Sequence, residues 1–202
     1  MLWATMGDVL LVASNNAHKI AEIKAILGAF YPEIASQKEM GIMHEVLEDG
    51  QTFLENAIKK ACELAELSGL DAIADDSGLC VDALGGAPGV YSARYAGGHG
   101  DDTANNQKLM AEIAQLPPDQ RGGQFVCAIA LKRQGQPVLT AVGTVEGVLL
   151  TQPQGENGFG YDPLFYLPNY KKTMAQLTAE EKNAISHRFN ALQALQKTLL
   201  KA

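Results

Sequence analysis

Apolar residues run unbroken from Val9 to Ala13, bounded by Asp8 and by the polar Ser14-Asn15-Asn16. A run of that length ending in a polar turn predicts a buried strand over 8–14. Ile20, Ile23 and Leu27 then recur three and four apart, which predicts a helix. A loop rich in Gly and Glu, Gly41 to Gln51, leads to Thr52 and Glu55, the T-x-x-E signature of a capping box. The helix it opens carries Phe53, Ala57, Ala61, Leu64 and Ala65 on one stripe and ends near Gly69. Asp71–Ala74 reads as a short buried strand and Leu79–Leu84 as another, with Asp75-Asp76-Ser77-Gly78 as the polar turn or strand end separating them. A glycine-rich loop, Gly85 to Gly100, precedes a helix with Leu109, Ile113 and Leu116, which Pro117-Pro118 stops. Two alternating stretches between about Gln124 and Leu150 flank Gln134–Pro137 and predict an antiparallel hairpin. A loop from Gly155 to Pro163 follows, and Thr178 with Glu181 opens helical sequence that runs to the end. The sum is a mixed α/β protein, read as one domain over 1–202, with strand-to-helix turns and a hairpin. Met6 could equally serve as the start, with residues 1–5 a dispensable extension, one that reaches residue 7 at most.

Composition narrows the class. Of 202 residues, 47% are hydrophobic and 19% charged, enough for a core and without the blocks of like charge that mark disorder. The formal net charge of −7 argues against a domain that coats nucleic acid. It leaves room for a small anionic substrate, because a few placed lysines and a bound metal dominate a local field. Cys62, Cys80 and Cys127 are widely spaced and form no Cys-x-x-Cys pair, so they read as reduced thiols of a cytoplasmic protein. The apolar run at the N-terminus is too short for a signal peptide or a membrane span.

Four segments hold more polar side chains than packing needs. Ser14, Asn15, Asn16 and Lys19 lie at a helix N-terminus, where free N–H groups favour anions; an ordinary capped helix, with Ser14 or Asn15 as the cap, also accounts for them. Asn56 and Lys60 share a helix face, as do Glu55 and Lys59, which would form a solvated ion pair. Asp75 and Asp76 sit at the end of a buried strand, where clustered carboxylates hold Mg²⁺. Side chains alternate along a strand, so the two point to opposite sides unless the chain turns there. Glu45, Glu48 and Asp49 could supply a further carboxylate. Phe159-Gly160-Tyr161-Asp162-Pro163, with Lys182 and Ser186-His187-Arg188, offers an aromatic for stacking and donors for a carbonyl edge; a common turn and a solvated helix face are the plainer readings. No G-x-x-x-x-G-K-[ST] loop occurs, and Gly158-Phe159-Gly160 lacks the third glycine of a dinucleotide fingerprint.

In this order the segments resemble the inosine/xanthosine triphosphate pyrophosphatase family: Ser14-Asn15-Asn16-x-x-Lys19, Phe53-Leu54-Glu55-Asn56-Ala57, Ala74-Asp75-Asp76-Ser77-Gly78-Leu79-x-Val81, Leu84-Gly85-Gly86-x-Pro88-Gly89-Val90-Tyr91-Ser92-Ala93-Arg94-Tyr95, Phe159-Gly160-Tyr161-Asp162-Pro163 and Ser186-His187-Arg188. Ser14 stands where many members have Thr. The resemblance implies a Mg²⁺-dependent attack of water on the α-phosphorus of a non-standard purine triphosphate, giving the monophosphate and pyrophosphate. It implies Asp76 as general base and metal ligand, with Glu48 and Asp75 helping to hold the ion. Ser14, Asn15, Asn16, Lys19, Lys60 and Ser77 would bind the phosphates; Phe159, Gly160, Tyr161, Asp162, Lys182, His187 and Arg188 would hold the base. His187 and Arg188 would satisfy a six-carbonyl and face adenine's amine donor to donor. The implied fold is an elongated mixed β-sheet with flanking helices, in two lobes around a central substrate cleft, as a homodimer. A pyrophosphatase for another modified nucleotide, a nucleotide-binding sensor without turnover and a nucleic-acid-binding module are the competing readings.

Overall fold

The sheet is best understood from its alternating side chains. The computed structural model describes residues 7–98 and 100–201, so residues 1–6 of the expected N-terminal extension lie outside it. Gly7 donates its N–H to Asp71 Oδ2 at 3.3 Å. In strand β1 (Val9–Val12), Leu10 and Val12 join one apolar cluster while Leu11 joins another. The first cluster takes Ile23 and Leu27 of helix α1 (Ala17–Leu27) and Ala191, Leu192, Leu195 and Leu199 of helix α5 (His187–Leu199). The second takes Leu64 and Ala65 of helix α2 (Phe53–Ser68). Helices therefore cover both faces, and the strands between them must be apolar throughout.

Among the described residues seven strands form one sheet in the order β2-β1-β3-β4-β5-β6-β7. Strand β2 (Glu33–Ser36) and strand β3 (Asp71–Val81) both pair parallel with β1. Strands β4 (Gly122–Lys132) and β5 (Leu139–Leu149) are neighbours joined by residues 133–138. That connection is too short for a parallel crossover, so the expected hairpin is present. Strands β6 (Phe165–Leu167) and β7 (Lys172–Thr173) add antiparallel pairs at the end of the sheet. Helices α3 (Asp102–Ile113) and α4 (Ala179–Ile185) complete the fold. No described helix is long and apolar enough to cross a membrane.

Two compact units emerge. The first holds residues up to Asp76, Cys127–Gly143 and Arg188–Ala202; the second holds Ser77–Val126 and Thr144–His187. The core of the second unit gathers Leu79, Val81, Leu109, Ile113, Phe125, Leu149, Phe165 and Leu177.

Several expectations need correction. Asp71–Ala74 and Leu79–Leu84 are not two strands: β3 runs unbroken from Asp71 to Val81, and Asp75, Asp76, Ser77 and Gly78 lie inside it. The carboxylates find partners there, so nothing forces the chain to turn. The final helical stretch is two helices, broken at Ser186, whose ψ of 153° is extended. Strands β2, β6 and β7 span four residues or fewer, too few for a period to show, and none carries an apolar run as long as the one from Val9 to Ala13 that marks β1. The capping box at Thr52 and Glu55 is formed in full, and Gly69 closes α2 at φ 71°; a left-handed residue there is what glycine supplies without strain.

Candidate functional site

Parity along β3 decides where the two aspartates point. Ile73 faces the cluster built by α1 and α5, while Ala74 faces the alanines of α2. In an unbroken strand Asp75 must share the side of Ile73 and Asp76 that of Ala74. The contacts agree. Asp75 Oδ2 lies 3.0 Å from Lys19 Nζ of α1 and 3.2 Å from Arg188 Nε of α5, with the Cys127 thiol at 4.0 Å. Arg188 NH1 in turn reaches Glu22 of α1 at 3.1 Å, and Arg188 is only 2% exposed. Asp76 Oδ2 accepts a hydrogen bond of 2.9 Å from Asn56 Nδ2 of α2, and its Oδ1 lies 3.9 Å from Lys60 Nζ.

Small residues make this reach possible. Ala57 and Ala61 of α2 pack on Ala74, Ala128 and Ala130, so helix and sheet approach closely. Asn56 and Lys60, one turn apart, then both meet β3. Lys60 Nζ donates to the Asp75 backbone carbonyl at 2.8 Å and to Glu48 Oε1 at 2.6 Å. Asn56 Oδ1 accepts from the Gly50 N–H at 2.8 Å, pinning the Glu48 loop beside Asp76. A Cβ on Gly50 would stand 2.6 Å from that oxygen, so only glycine fits.

The adjacent carboxylates are electrostatic opposites. Burial alone would push Asp75 up, but Lys19, Arg188 and Lys60 outweigh it and hold the group well below the usual carboxylate range. For Asp76 burial wins: its pKa is raised despite the opposing pull of Lys60 and the hydrogen bond from Asn56. Burial also works against the charge of Arg188, yet Asp75, Cys127 and Glu22 raise its pKa and keep it protonated.

Asn16, rather than Ser14 or Asn15, caps α1: its Oδ1 accepts from the Lys19 N–H at 3.3 Å. Ser14 Oγ accepts from the Asn16 N–H at 3.1 Å, and Asn15 Oδ1 from the Lys38 N–H at 3.1 Å. The turn begins where Ala13 donates to the carbonyl of Ile73, two residues before Asp75.

The second unit holds the remaining sequence-derived candidates apart from Arg188: Ser77, Phe159, Gly160, Tyr161, Asp162, Lys182 and His187. Asp162, buried, pairs with Lys182 at 2.5 Å and accepts the Phe159 N–H at 2.8 Å. Burial raises its pKa although Lys182 opposes the shift. Lys182 Nζ also stands 4.5 Å from the centre of the Phe159 ring, which is 43% exposed. Tyr161 turns inward instead and donates its hydroxyl to the Ser92 carbonyl at 2.8 Å. His187 is buried and stacks on Phe125, ring centres 5.1 Å apart. Gly158, at φ 80°, leaves room for Asp162: a Cβ there would lie 2.1 Å from Asp162 Oδ2.

Two expected partners differ. Lys59 pairs with Asp49 at 2.6 Å, because Glu55 is taken by the N–H groups of Gln51 and Thr52. Glu22, Asn56, Asp102 and Asn106 all hold site residues; of these the sequence marks Asn56 alone, through its spacing from Lys60. Among the described residues no three His, Cys, Asp or Glu converge as a ready metal cage. Glu48 and Asp76 nonetheless share the Lys60 ammonium, so two hard oxygen donors already flank a cation position. One or two carboxylates completed by substrate phosphates is how Mg²⁺ is usually bound, so this donor set fits the ion.

Comparison with known proteins fits this geometry. The Ham1 family profile matches residues 10–198. A dITP/XTP pyrophosphatase of Clostridium perfringens is 49% identical over 195 residues, covering 94% of this chain and 96% of its own length. One of Bacillus subtilis is 47% identical over 189 residues, with 94% and 96% covered. The structure of the Staphylococcus aureus Ham1 protein matches with a TM-score of 0.88 at 44% identity, over 96% of this chain and 98% of that one. With both aspartates, the α1 turn and the Phe159 loop inside the matched span, the chain belongs to the Ham1 family.

Proposed function

We propose that this chain hydrolyses non-standard purine nucleoside triphosphates (dITP, ITP and XTP) to the monophosphate and pyrophosphate. The observation that carries the reading is the contrast along β3: Asp75 lies within 3.2 Å of two cations, while Asp76, buried, hydrogen-bonded to Asn56 and 3.9 Å from Lys60, has its pKa raised. A carboxylate with raised proton affinity is suited to take a proton from water. The substrate class, dITP and XTP, is supported by the relatives, which are dITP/XTP pyrophosphatases.

In this mechanism water attacks the α-phosphorus, the bond from that phosphorus to the bridging oxygen breaks, and pyrophosphate leaves. Asp76 accepts the proton that the water loses. Asp76 and Glu48 are the residues that would hold Mg²⁺, with Asp75 a further oxygen donor by resemblance. A bound Mg²⁺ offsets phosphate charge and lowers the pKa of the attacking water. Lys19 and Lys60 each carry three donors, so phosphate oxygens can be met without releasing the carboxylates. The N–H groups at the start of α1, with Ser14, Asn15, Asn16 and Ser77, complete the phosphate site.

Phe159 offers its exposed face for stacking, and Gly160, Tyr161 and Asp162 shape the loop with Lys182. Arg188 has Nε and Nη1 committed to Asp75 and Glu22; that it and His187 donate to a base carbonyl is what the resemblance implies. A site furnished with donors for a six-carbonyl leaves them unmet by adenine, a mismatch that discriminates by roughly 10⁴. The three thiols suit a cytoplasmic setting, and the resemblance carries a homodimer. Nucleotide is the partner in this reading, with no part for nucleic acid or membrane. Assay of purified protein with a triphosphate panel and titrated Mg²⁺ should show pyrophosphate release from dITP and XTP far above ATP. Equal rates on every nucleotide, or orthophosphate as the product, would overturn the proposal.

A further inference from the structure

Helix α3 grips the loop that carries Phe159. Asp102 and Asn106 are four residues apart at the start of this helix and so lie on one face. Asp102 Oδ2 accepts the Gly160 N–H at 2.7 Å, and Asn106 Nδ2 donates to the Gly160 carbonyl at 2.8 Å. The two bonds hold the peptide groups on either side of one α-carbon. That carbon belongs to a glycine at φ 60°, the conformation most in need of external support, because glycine has the widest freedom to leave it. Asn106 is held for its donor: its Oδ1 is buried and has no hydrogen-bond partner among the described residues. A native protein seldom leaves a buried acceptor unmet without a reason. The neighbouring Asn105 acts in parallel on another segment, accepting the Ala96 N–H at 2.8 Å.

We infer that Asp102 and Asn106 are positioning residues that set substrate specificity, by clamping Gly160 so that the Phe159 ring and Asp162 present a fixed surface to the purine base. The inference rests on the reading that the Phe159 loop holds the base. Both residues bond the Gly160 backbone, so their loss acts on binding and discrimination. The α1 turn, Glu48, Asp75 and Asp76 belong to the other unit, and the clamp includes none of them.

Kinetics of Asp102→Ala, Asn106→Ala, Asp102→Asn and Phe159→Ala with ITP and ATP test this. Asp102→Ala should raise KM for ITP about tenfold and Asn106→Ala about fivefold, the larger effect going with the charged acceptor. In both, kcat should stay within about twofold, and the ITP-to-ATP ratio of kcat/KM should narrow with the rise in KM. Asp102→Asn retains an acceptor oxygen without the charge and should bring KM back to within about twofold of the parent, which a general loss of helix stability would not do. Asn106→Asp keeps the size but turns an acceptor toward the Gly160 carbonyl; it should raise KM at least as much as alanine, so the test survives a poorly folded alanine variant. If Phe159→Ala raises KM while the clamp variants match the parent, the clamp is overturned and the base reading stands. If Phe159→Ala itself binds ITP like the parent, both fall. Parental KM in Asn106→Asp, or a KM in Asp102→Asn as high as in Asp102→Ala, also overturns the clamp.

Discussion

Asparagine at position 75 and asparagine at position 76 remove one carboxylate each, yet the folded protein should feel them very differently. Asp75 is 2% exposed and its Oδ2 meets Lys19 at 3.0 Å and Arg188 at 3.2 Å. Removing one partner of a buried ion pair costs about 3–5 kcal/mol, because the remaining charge stays desolvated. Glu22 still pairs with Arg188, and the Lys19 side chain is 21% exposed and can regain water, so the lower end, about 3 kcal/mol, is expected. For a chain of this size that corresponds to a fall in Tm of about 6–12 °C. Asp76 is the reverse case, since burial disfavours its ionised form. Asn56 can donate to an amide oxygen as it does to the carboxylate, so Asp76→Asn should shift stability by less than about 1 kcal/mol, or Tm by about 3 °C. Its turnover should nevertheless collapse, because an amide cannot accept the proton. Thermal unfolding beside pyrophosphate release measures both. A parental Tm in Asp75→Asn, or a Tm loss in Asp76→Asn as large as in Asp75→Asn, would refute the assignment of opposite roles.

Other residues give sharper or simpler tests. Asn56→Ala leaves the Gly50 N–H and Asp76 without their shared partner; we expect a tenfold or greater loss of kcat at a stability cost of about 1–3 kcal/mol, read by kinetics and thermal melts. Ala57→Leu inserts a large side chain where α2 touches Ala74, and overpacking of about 1–3 kcal/mol should accompany withdrawal of Asn56 and Lys60 and a lower kcat. Gly158→Ala forces a Cβ into Asp162 and strains a positive φ, so KM for dITP should rise more than kcat falls; unchanged KM would count against the loop's role.

Much of this was legible in the chain, for local reasons. The box at Thr52 and Glu55 closes within one turn, so its spacing alone announces the helix. The β4–β5 hairpin joins neighbours across a short turn, and α1 and α2 show their periods over 11 and 16 residues. What stayed hidden depends on partners distant in sequence. Asp75-Asp76-Ser77-Gly78 reads as the end of a strand because two carboxylates have no business inside a sheet. Lys19, Arg188 and Asn56 satisfy them there, and Arg188 lies 113 residues away. Ser186 interrupts what looks like one helix, with neither proline nor glycine to mark the break. Asp102 and Asn106 carry no signal in the sequence, and only their reach across 58 and 54 residues to Gly160 gives them a task. The alternation rule did place Asp75 and Asp76 on opposite faces; it lacked only the knowledge that the strand continues.

The most direct measurement of the central claim is hydrolysis of ITP in ¹⁸O-labelled water with mass analysis of both products. Attack at the α-phosphorus places one labelled oxygen in the monophosphate and none in pyrophosphate, and Asp76→Asn should abolish that incorporation. Label in pyrophosphate, or undiminished labelling of the monophosphate by the variant, would contradict the account.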